Sequence, residues 1–381
     1  MTLTAVTEEQ VLDALRTVRD PDLHKDIVAL KFVENVKIVD GAVSFTVVLT
    51  TPACPVKEQM KQQAESAVGA IPGVTSATAT MTSRVQGSYV PQREGIPGVK
   101  NIIAVGSGKG GVGKSTVAVN LALALAQTGA RVGLLDADIY GPNVPLMMGA
   151  VGKPESSPSG KIEPIRTYNV DMISIAFFLP DDNSPVIWRG PMLTKLLTQF
   201  IYDVEWGELD YLVMDMPPGT GDVQLTVAQS LPLTGAVIVS TPQDVALMDA
   251  KRALAMFQKL NVPVLGIVEN MTTFICPNCQ HETPIFGHGG AATAAHDLDV
   301  PFLGELPLTL EVRIGSDTGK PITVDQPQSA AAEAFRAVAK NLAAQISILA
   351  YARAGAASRP AGAPLQLFRK RSEQEAVGSG Q

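Results

Sequence analysis

The chain has 381 residues, of which 46% are hydrophobic and 18% charged, a balance that excludes an intrinsically disordered chain and suggests more than one core. A formal net charge of -7 leaves no basic surplus for a phosphate backbone, so no nucleic acid is expected as a partner. Three cysteines are too few for a disulfide scaffold, no apolar run reaches membrane-spanning length, and MTLTAVTEEQ lacks a signal-peptide pattern, so the expectation is a cytoplasmic protein with no stable membrane association.

Residues 1–85 read as a small α+β domain. Thr7 with Gln10 forms a capping-box pattern, opening a helix whose apolar face is Val11, Leu12, Leu15 and Val18. Two strand-like runs, FVENVKIVD and AVSFTVVLT, meet at Asp40-Gly41, a favoured hairpin turn. TPACPV introduces a second helix, VKEQMKQQAESAVGAI, and a last strand follows near VTSATATM. Residues 86–98 are rich in Gly, Pro and polar side chains and read as a linker.

From residue 99 the pattern becomes alternating strands and helices. NIIAVGS, ARVGLLDAD, DYLVMDMPP, GAVIVSTPQ and VPVLGIVEN are short, continuous apolar runs, as parallel strands covered on both faces require. Amphipathic stretches such as VAVNLALALAQTG separate them, predicting an α/β domain with a doubly wound, mostly parallel sheet over 99–350. Residues 351–381 are mostly small and polar, and a disordered tail is expected there.

The stretch GSGKGGVGKST follows the first of these strands and opens a helix. Gly108, Gly113, Lys114 and Ser115 match G-x-x-x-x-G-K-[ST], a phosphate-binding P-loop over Gly108, Lys109, Gly110, Gly111, Val112, Gly113, Lys114, Ser115 and Thr116. Its glycines let successive N–H groups point at phosphate oxygens, beside a helix N-terminus. Lys114 is assigned to the β- and γ-phosphates and the Ser115 hydroxyl to Mg²⁺. Asp136 and Asp138 end one strand and Asp215 another, so all three carboxylates are expected on the loop's edge of the sheet, with Asp215 on the Mg²⁺ side.

Lys109 is a second lysine that the phosphate loop does not require. GKGGVGKST resembles the deviant Walker A motif of the MinD, ParA, ArsA and nitrogenase-iron-protein class. That resemblance implies a homodimer in which Lys109 reaches the partner's ATP, Asp138 places Mg²⁺ or the attacking water, and Asn270, in VENM, faces the adenine.

CPNC places Cys276 and Cys279 in a loop beginning MTTF. Two thiolates at this spacing can hold one metal without completing a four-thiolate site. A zinc knuckle completed by His281 or His288, and dithiol chemistry, are the other readings of the pair. With GKGGVGKST, DADIYGPN, DMPPGTGD, VENM and CPNC all present, residues 95–345 resemble the Mrp/ApbC family of iron–sulfur cluster carrier ATPases. The resemblance implies a 4Fe-4S cluster bridging two subunits through Cys276 and Cys279, passed to apo client proteins alongside an assembly scaffold and coupled to slow ATP hydrolysis. DPDLHKDIVAL and TTPACP resemble the small PaaD-related iron–sulfur assembly domain.

Cys54, just before the second helix, reads either as a dipole-activated or metal-binding thiol or as a small buried side chain. A positioning ATPase of the MinD/ParA kind, with LQLFRKR (365–371) as a membrane-seeking tail, and an ATP-binding regulatory module with structural zinc remain competing functions.

Overall fold

The computed structural model describes residues 6–54, 56–87, 95–179, 190–279 and 281–357. Helix α1 (Glu8–Leu15) opens as its sequence dictates: the Thr7 hydroxyl accepts from Gln10 N at 3.3 Å, and Thr7 N donates to Gln10 Oε1 at 3.0 Å. Strands β1 (Val33–Val39) and β2 (Ala42–Leu49) pair antiparallel across Asp40 and Gly41, whose φ values of 49° and 80° form the tight two-residue turn. Helix α2 (Lys57–Gly69) and strand β3 (Ser76–Ser83), parallel to β2, complete a three-stranded sheet ordered β1-β2-β3. Val11, Leu15, Phe45, Met60 and Ala64 form its core.

The second unit runs through β4 (Ile102–Ser107), α3 (Lys114–Gln127), β5 (Val132–Asp136), α4 (Val144–Met148), β6 (Ile165–Thr167), β7 (Val170–Ser174), α5 (Gly190–Tyr202), β8 (Tyr211–Asp215), α6 (Asp222–Ser230) and β9 (Gly235–Ser240). It continues with α7 (Asp244–Lys259), β10 (Val264–Ile275), β11 (Glu282–Thr283), α8 (Gly290–Asp297), β12 (Phe302–Leu308), α9 (Leu310–Thr318), α10 (Ile322–Asp325) and α11 (Ala330–Ala357). Strand order is β11-β10-β9-β4-β8-β5-β7-β6, with β12 also pairing β10. Every ladder from β12 to β7 is parallel; β6 and β11 add antiparallel edges. Successive β4 residues feed opposite cores. Ile103 and Val105 pack with α3 and α11, while Ile102 and Ala104 pack with α7 and α8. This double coverage explains why the strands read as unbroken apolar runs.

The two units meet through side chains as well as the chain. Thr51 and Tyr211 share a buried hydrogen bond between hydroxyls at 3.2 Å, and burial pushes the Tyr211 phenol up to about 12. Lys25 Nζ donates to the Tyr351 hydroxyl at 3.0 Å. Tyr351 lies on α11, which runs to Ala357, past the boundary expected at 350, because AYARAGAA keeps helix-forming residues. Residues 88–94 of the expected linker, and 358–381 with the LQLFRKR motif, lie outside the described residues. No described helix is long and apolar enough to cross a membrane.

Candidate functional site

Strand β4 ends at Ser107, and the loop 108–113 turns the chain directly into α3. Gly111 and Gly113 sit at φ +79° and +81°, where a side chain would strain the backbone. Gly108 is required for a different reason: a Cβ there would overlap the backbone of Asp249 on α7. The loop is braced from two sides. Ser107 Oγ donates to the Lys109 carbonyl at 2.9 Å, and Asn270 Nδ2 donates to the Val112 carbonyl at 2.8 Å. Asn270, expected against an adenine, clamps the phosphate loop. Met271, its neighbour, is held at φ +60°, an uncommon conformation for a long side chain and a mark of a constrained site.

Lys114 is the electrostatic centre. Its ammonium lies 2.6 Å from Asp215 Oδ1, 3.5 Å from Asp138 Oδ2 and 3.2 Å from Ser115 Oγ, with the side chain only 6% exposed. Strands β5 and β8 are in register at Asp136 and Asp215, so these carboxyls stand side by side at the strand ends. Burial raises the Asp215 carboxyl above the ordinary range despite the Lys114 ammonium, and Asp138 adds to the rise. Burial, reinforced by Asp215, pushes Asp136 well above it. Asp136 does not reach the cavity wall. It accepts from Asp138 N at 3.1 Å, Ser174 Oγ at 2.9 Å and Val144 N at 3.4 Å, thereby holding the 138–144 segment to the sheet.

A cavity of about 580 Å³ opens over the loop. One wall carries Lys109, Gly113, Lys114, Ser115, Thr116 and Asp138; the other carries Asn270, Met271, Pro307, Leu308 and the first turns of α9. Its size suits a nucleotide. Lys109 lines the rim, half-buried, with no ion-pair or hydrogen-bond partner for its ammonium among the described residues. The α9 wall escaped the sequence reading, although Thr309, whose hydroxyl caps α9 by accepting from Val312 N at 3.3 Å, was a visible helix-start signal. Ser174 carried no motif that could have marked it, and Ser107, though inside GSGKGGVGKST, stands one residue ahead of the phosphate-binding pattern.

The cysteine pair sits elsewhere than a loop following VEN. MTTFI continues β10, as its β-branched and aromatic residues favour, and pairs with β11 through Phe274 with Thr283 and Ile275 with Glu282. CPNC is thus the tip of a β10–β11 hairpin, closed by Cys276 N donating to the His281 carbonyl at 3.0 Å. Cys279 is exposed and Cys276 partly so. Backbone N–H groups of Cys279 and Asn278, with the Cys279 thiol, hold the Cys276 thiol below the ordinary value. Among the described residues no group of three or more His, Cys, Asp or Glu side chains is arranged to hold a metal. His288 instead shares a hydrogen bond with Glu305 Oε2 at 2.9 Å. Because β10 carries Asn270 as well, the hairpin tip lies at most about 20 Å along the strand from the phosphate loop.

Cys54 corrects the dipole argument. Helix α2 begins at Lys57, and although the Val56 backbone favours the thiolate, burial outweighs it and Asp20 and Asp22 add to the rise, so the thiol is pushed up. The side chain packs at the edge of the N-terminal core.

Comparison with known proteins follows the same division of the chain. A profile described as NUBPL iron-transfer P-loop NTPase matches residues 98–343, and one described as iron-sulfur cluster assembly protein matches residues 8–80. An iron-sulfur cluster carrier protein of Synechocystis sp. is 52% identical over 91% of this chain and 99% of its own length. The mouse iron-sulfur cluster transfer protein NUBPL is 50% identical over 68% of this chain and 82% of its own. Among solved structures, a nucleotide-binding protein of Archaeoglobus fulgidus in complex with ADP is 40% identical, with a TM-score of 0.55 over 62% of this chain and 92% of that one.

Proposed function

The chain belongs to the family of NUBPL iron-transfer P-loop NTPases, and from that premise we propose that it is an ATP-hydrolysing carrier that binds an iron–sulfur cluster between two copies of itself and passes it to apo-proteins. The observation that carries the cargo half is the hairpin tip: two accessible thiols, one of them acidified, with no third ligand beside them among the described residues. A second copy supplies the other two ligands of a four-thiolate set. A zinc knuckle within one chain would need His281 or His288 gathered with the two thiols; among the described residues neither joins them in a group of three, and His288 is engaged with Glu305.

For the nucleotide half, the residues present fit a metal–triphosphate. Asp215 Oδ2 is buried without a hydrogen-bond partner among the described residues, and Ser115 stands beside it around the same ammonium. A Mg²⁺ held by Ser115 and Asp215 would neutralise charge on the β- and γ-phosphates. Lys114, leaving its carboxylates, would take the same phosphates, and loop N–H groups would hold their oxygens. Asp138, fixed through its own N–H by Asp136, would orient the attacking water. Lys109 would act across the dimer on the partner's nucleotide, which accords with its place on the rim, unpartnered among the described residues. Localisation in the cytoplasm is part of the same reading.

Anaerobic reconstitution with iron and sulfide tests it. The wild type is expected to hold one cluster per dimer, and Cys276→Ala/Cys279→Ala none. Stoichiometric zinc with no cluster would replace the carrier by a zinc-stabilised ATPase.

A further inference from the structure

Strand β8 hands the chain to MPPGTG before α6 begins, and this segment is tied down at two points on β4. Met216 N donates to the Val105 carbonyl at 3.0 Å, and Gly219 N to the Ser107 carbonyl at 3.0 Å. Between those anchors lies Gly106, whose missing side chain leaves room for a visitor: a Cβ there would stand 3.1 Å from Gln224 Nε2. Gln224, in the first turn of α6, is 1% exposed, and neither its Nε2 nor its Oε1 has a hydrogen-bond partner among the described residues. A buried amide with both ends unmet is costly and rare. Helix α6 also starts on Gly221 with no side-chain cap, although a glutamine three residues into a helix can reach the N–H of its cap residue.

We infer that Gln224 is a positioning residue for the 217–221 loop, holding it in the conformation that grips a nucleoside triphosphate; this rests on the nucleotide reading of the cavity. Pro217 and Pro218 bring no N–H, and Gly219 N is committed to Ser107. The donors left to a γ-phosphate are those of Thr220 and Gly221. A peptide whose N–H turns out to the phosphate turns its carbonyl inward, toward the protein. Gln224 Nε2, beside Gly106 between the loop's two anchors, is a buried donor for such a carbonyl, and Oε1 is there to accept from any loop N–H that turns inward instead. The amide is unsatisfied with the loop as it stands and satisfied when it closes, so its hydrogen bonds favour the closed state alone. A ligand shifts such an equilibrium only through a difference of this kind.

The test compares the wild type with Gln224→Met, which keeps shape and loses both hydrogen-bonding ends, and Gln224→Glu, which replaces the N–H₂ donor by a carboxyl oxygen and brings an ionisable group. Thermal midpoints are taken without nucleotide and with Mg²⁺ and a non-hydrolysable ATP analogue, and steady-state turnover is measured. Gln224→Met is expected to match or exceed the wild-type midpoint without nucleotide, to lose most of the analogue-induced rise, and to show kcat about tenfold lower with KM little changed. Gln224→Glu should lose the analogue-induced rise too. A variant that keeps the wild-type rise and kcat overturns the inference. So does Gln224→Met that is less stable without nucleotide while its rise is intact, because the amide is then satisfied in the open state, as by a buried water. A wild type that gains no stability from the analogue overturns the nucleotide reading, and this inference with it.

Discussion

Lys114→Met is expected to unfold about 10 °C below the wild type at pH 8 and to hydrolyse no measurable ATP. The side chain is 6% exposed and its ammonium is the cation shared by Asp215 and Asp138, with Asp136 in register beside Asp215. Removing it leaves buried carboxylates facing one another, and breaking a buried pair costs about 3–5 kcal/mol. The pH dependence fixes the cause. Asp215 already has a raised pKa in the fold, so folding favours its protonated form, and loss of the ammonium raises it further. The penalty is therefore complete above the folded pKa and fades as pH falls toward the ordinary carboxylate range. The midpoint gap between variant and wild type should narrow from pH 8 to pH 5, read by calorimetry. A gap that is absent at pH 8, or that widens on acidification, would remove Lys114 from this electrostatic role.

Lys109→Ala is expected to bind nucleotide within about threefold of the wild type and to lose about 10³-fold in turnover, the scale of a cation supplied in trans to a transferring phosphoryl group. Lys109 lines the cavity rim without an ion-pair partner among the described residues, so its loss strands no buried charge and should leave the midpoint unchanged. Mixing decides between trans and cis. A Lys109→Ala subunit keeps Lys114 and holds its nucleotide, while a Lys114→Met subunit still offers Lys109 across the interface. The mixture should recover turnover that neither variant has alone. Near-wild-type turnover of Lys109→Ala, or no recovery on mixing, would contradict the trans assignment.

Much of the architecture was legible because local chemistry and global fold agree. The Thr7–Gln10 box, the Asp40-Gly41 turn and the buried runs around Ile102, Val132, Tyr211 and Gly235 each have one comfortable structural answer. The P-loop was legible for the same reason, since positive φ at Gly111 and Gly113 and the crowding at Gly108 leave no alternative residue. What was not legible depends on contacts remote in sequence. Asp136 looked like another carboxylate for the site, but Ser174 and Val144 turn it into a brace. Cys54 reads equally as a thiol activated by a helix start and as a small buried side chain, and burial beside Asp20 and Asp22, which pushes the thiol up, favours the second. The stretch MTTFI reads as loop because VEN resembles a strand end; the ladder through Phe274 shows that the strand continues through Met271 and lifts CPNC onto a hairpin. The segment 144–205, with β7 completing the parallel ladder beside β5, offered no motif to read.

The central claim is delivery, and it is tested most directly by loading the protein anaerobically and adding an apo-protein with a vacant four-cysteine iron–sulfur site, with an iron chelator present throughout. The cluster absorbance and activity of the acceptor are then followed. The wild type should restore the acceptor despite the chelator, and Cys276→Ala/Cys279→Ala taken through the same loading should not. Restoration that the chelator abolishes, or that the double variant matches, would mean that free iron rather than this chain serves the acceptor, and the carrier reading would fall.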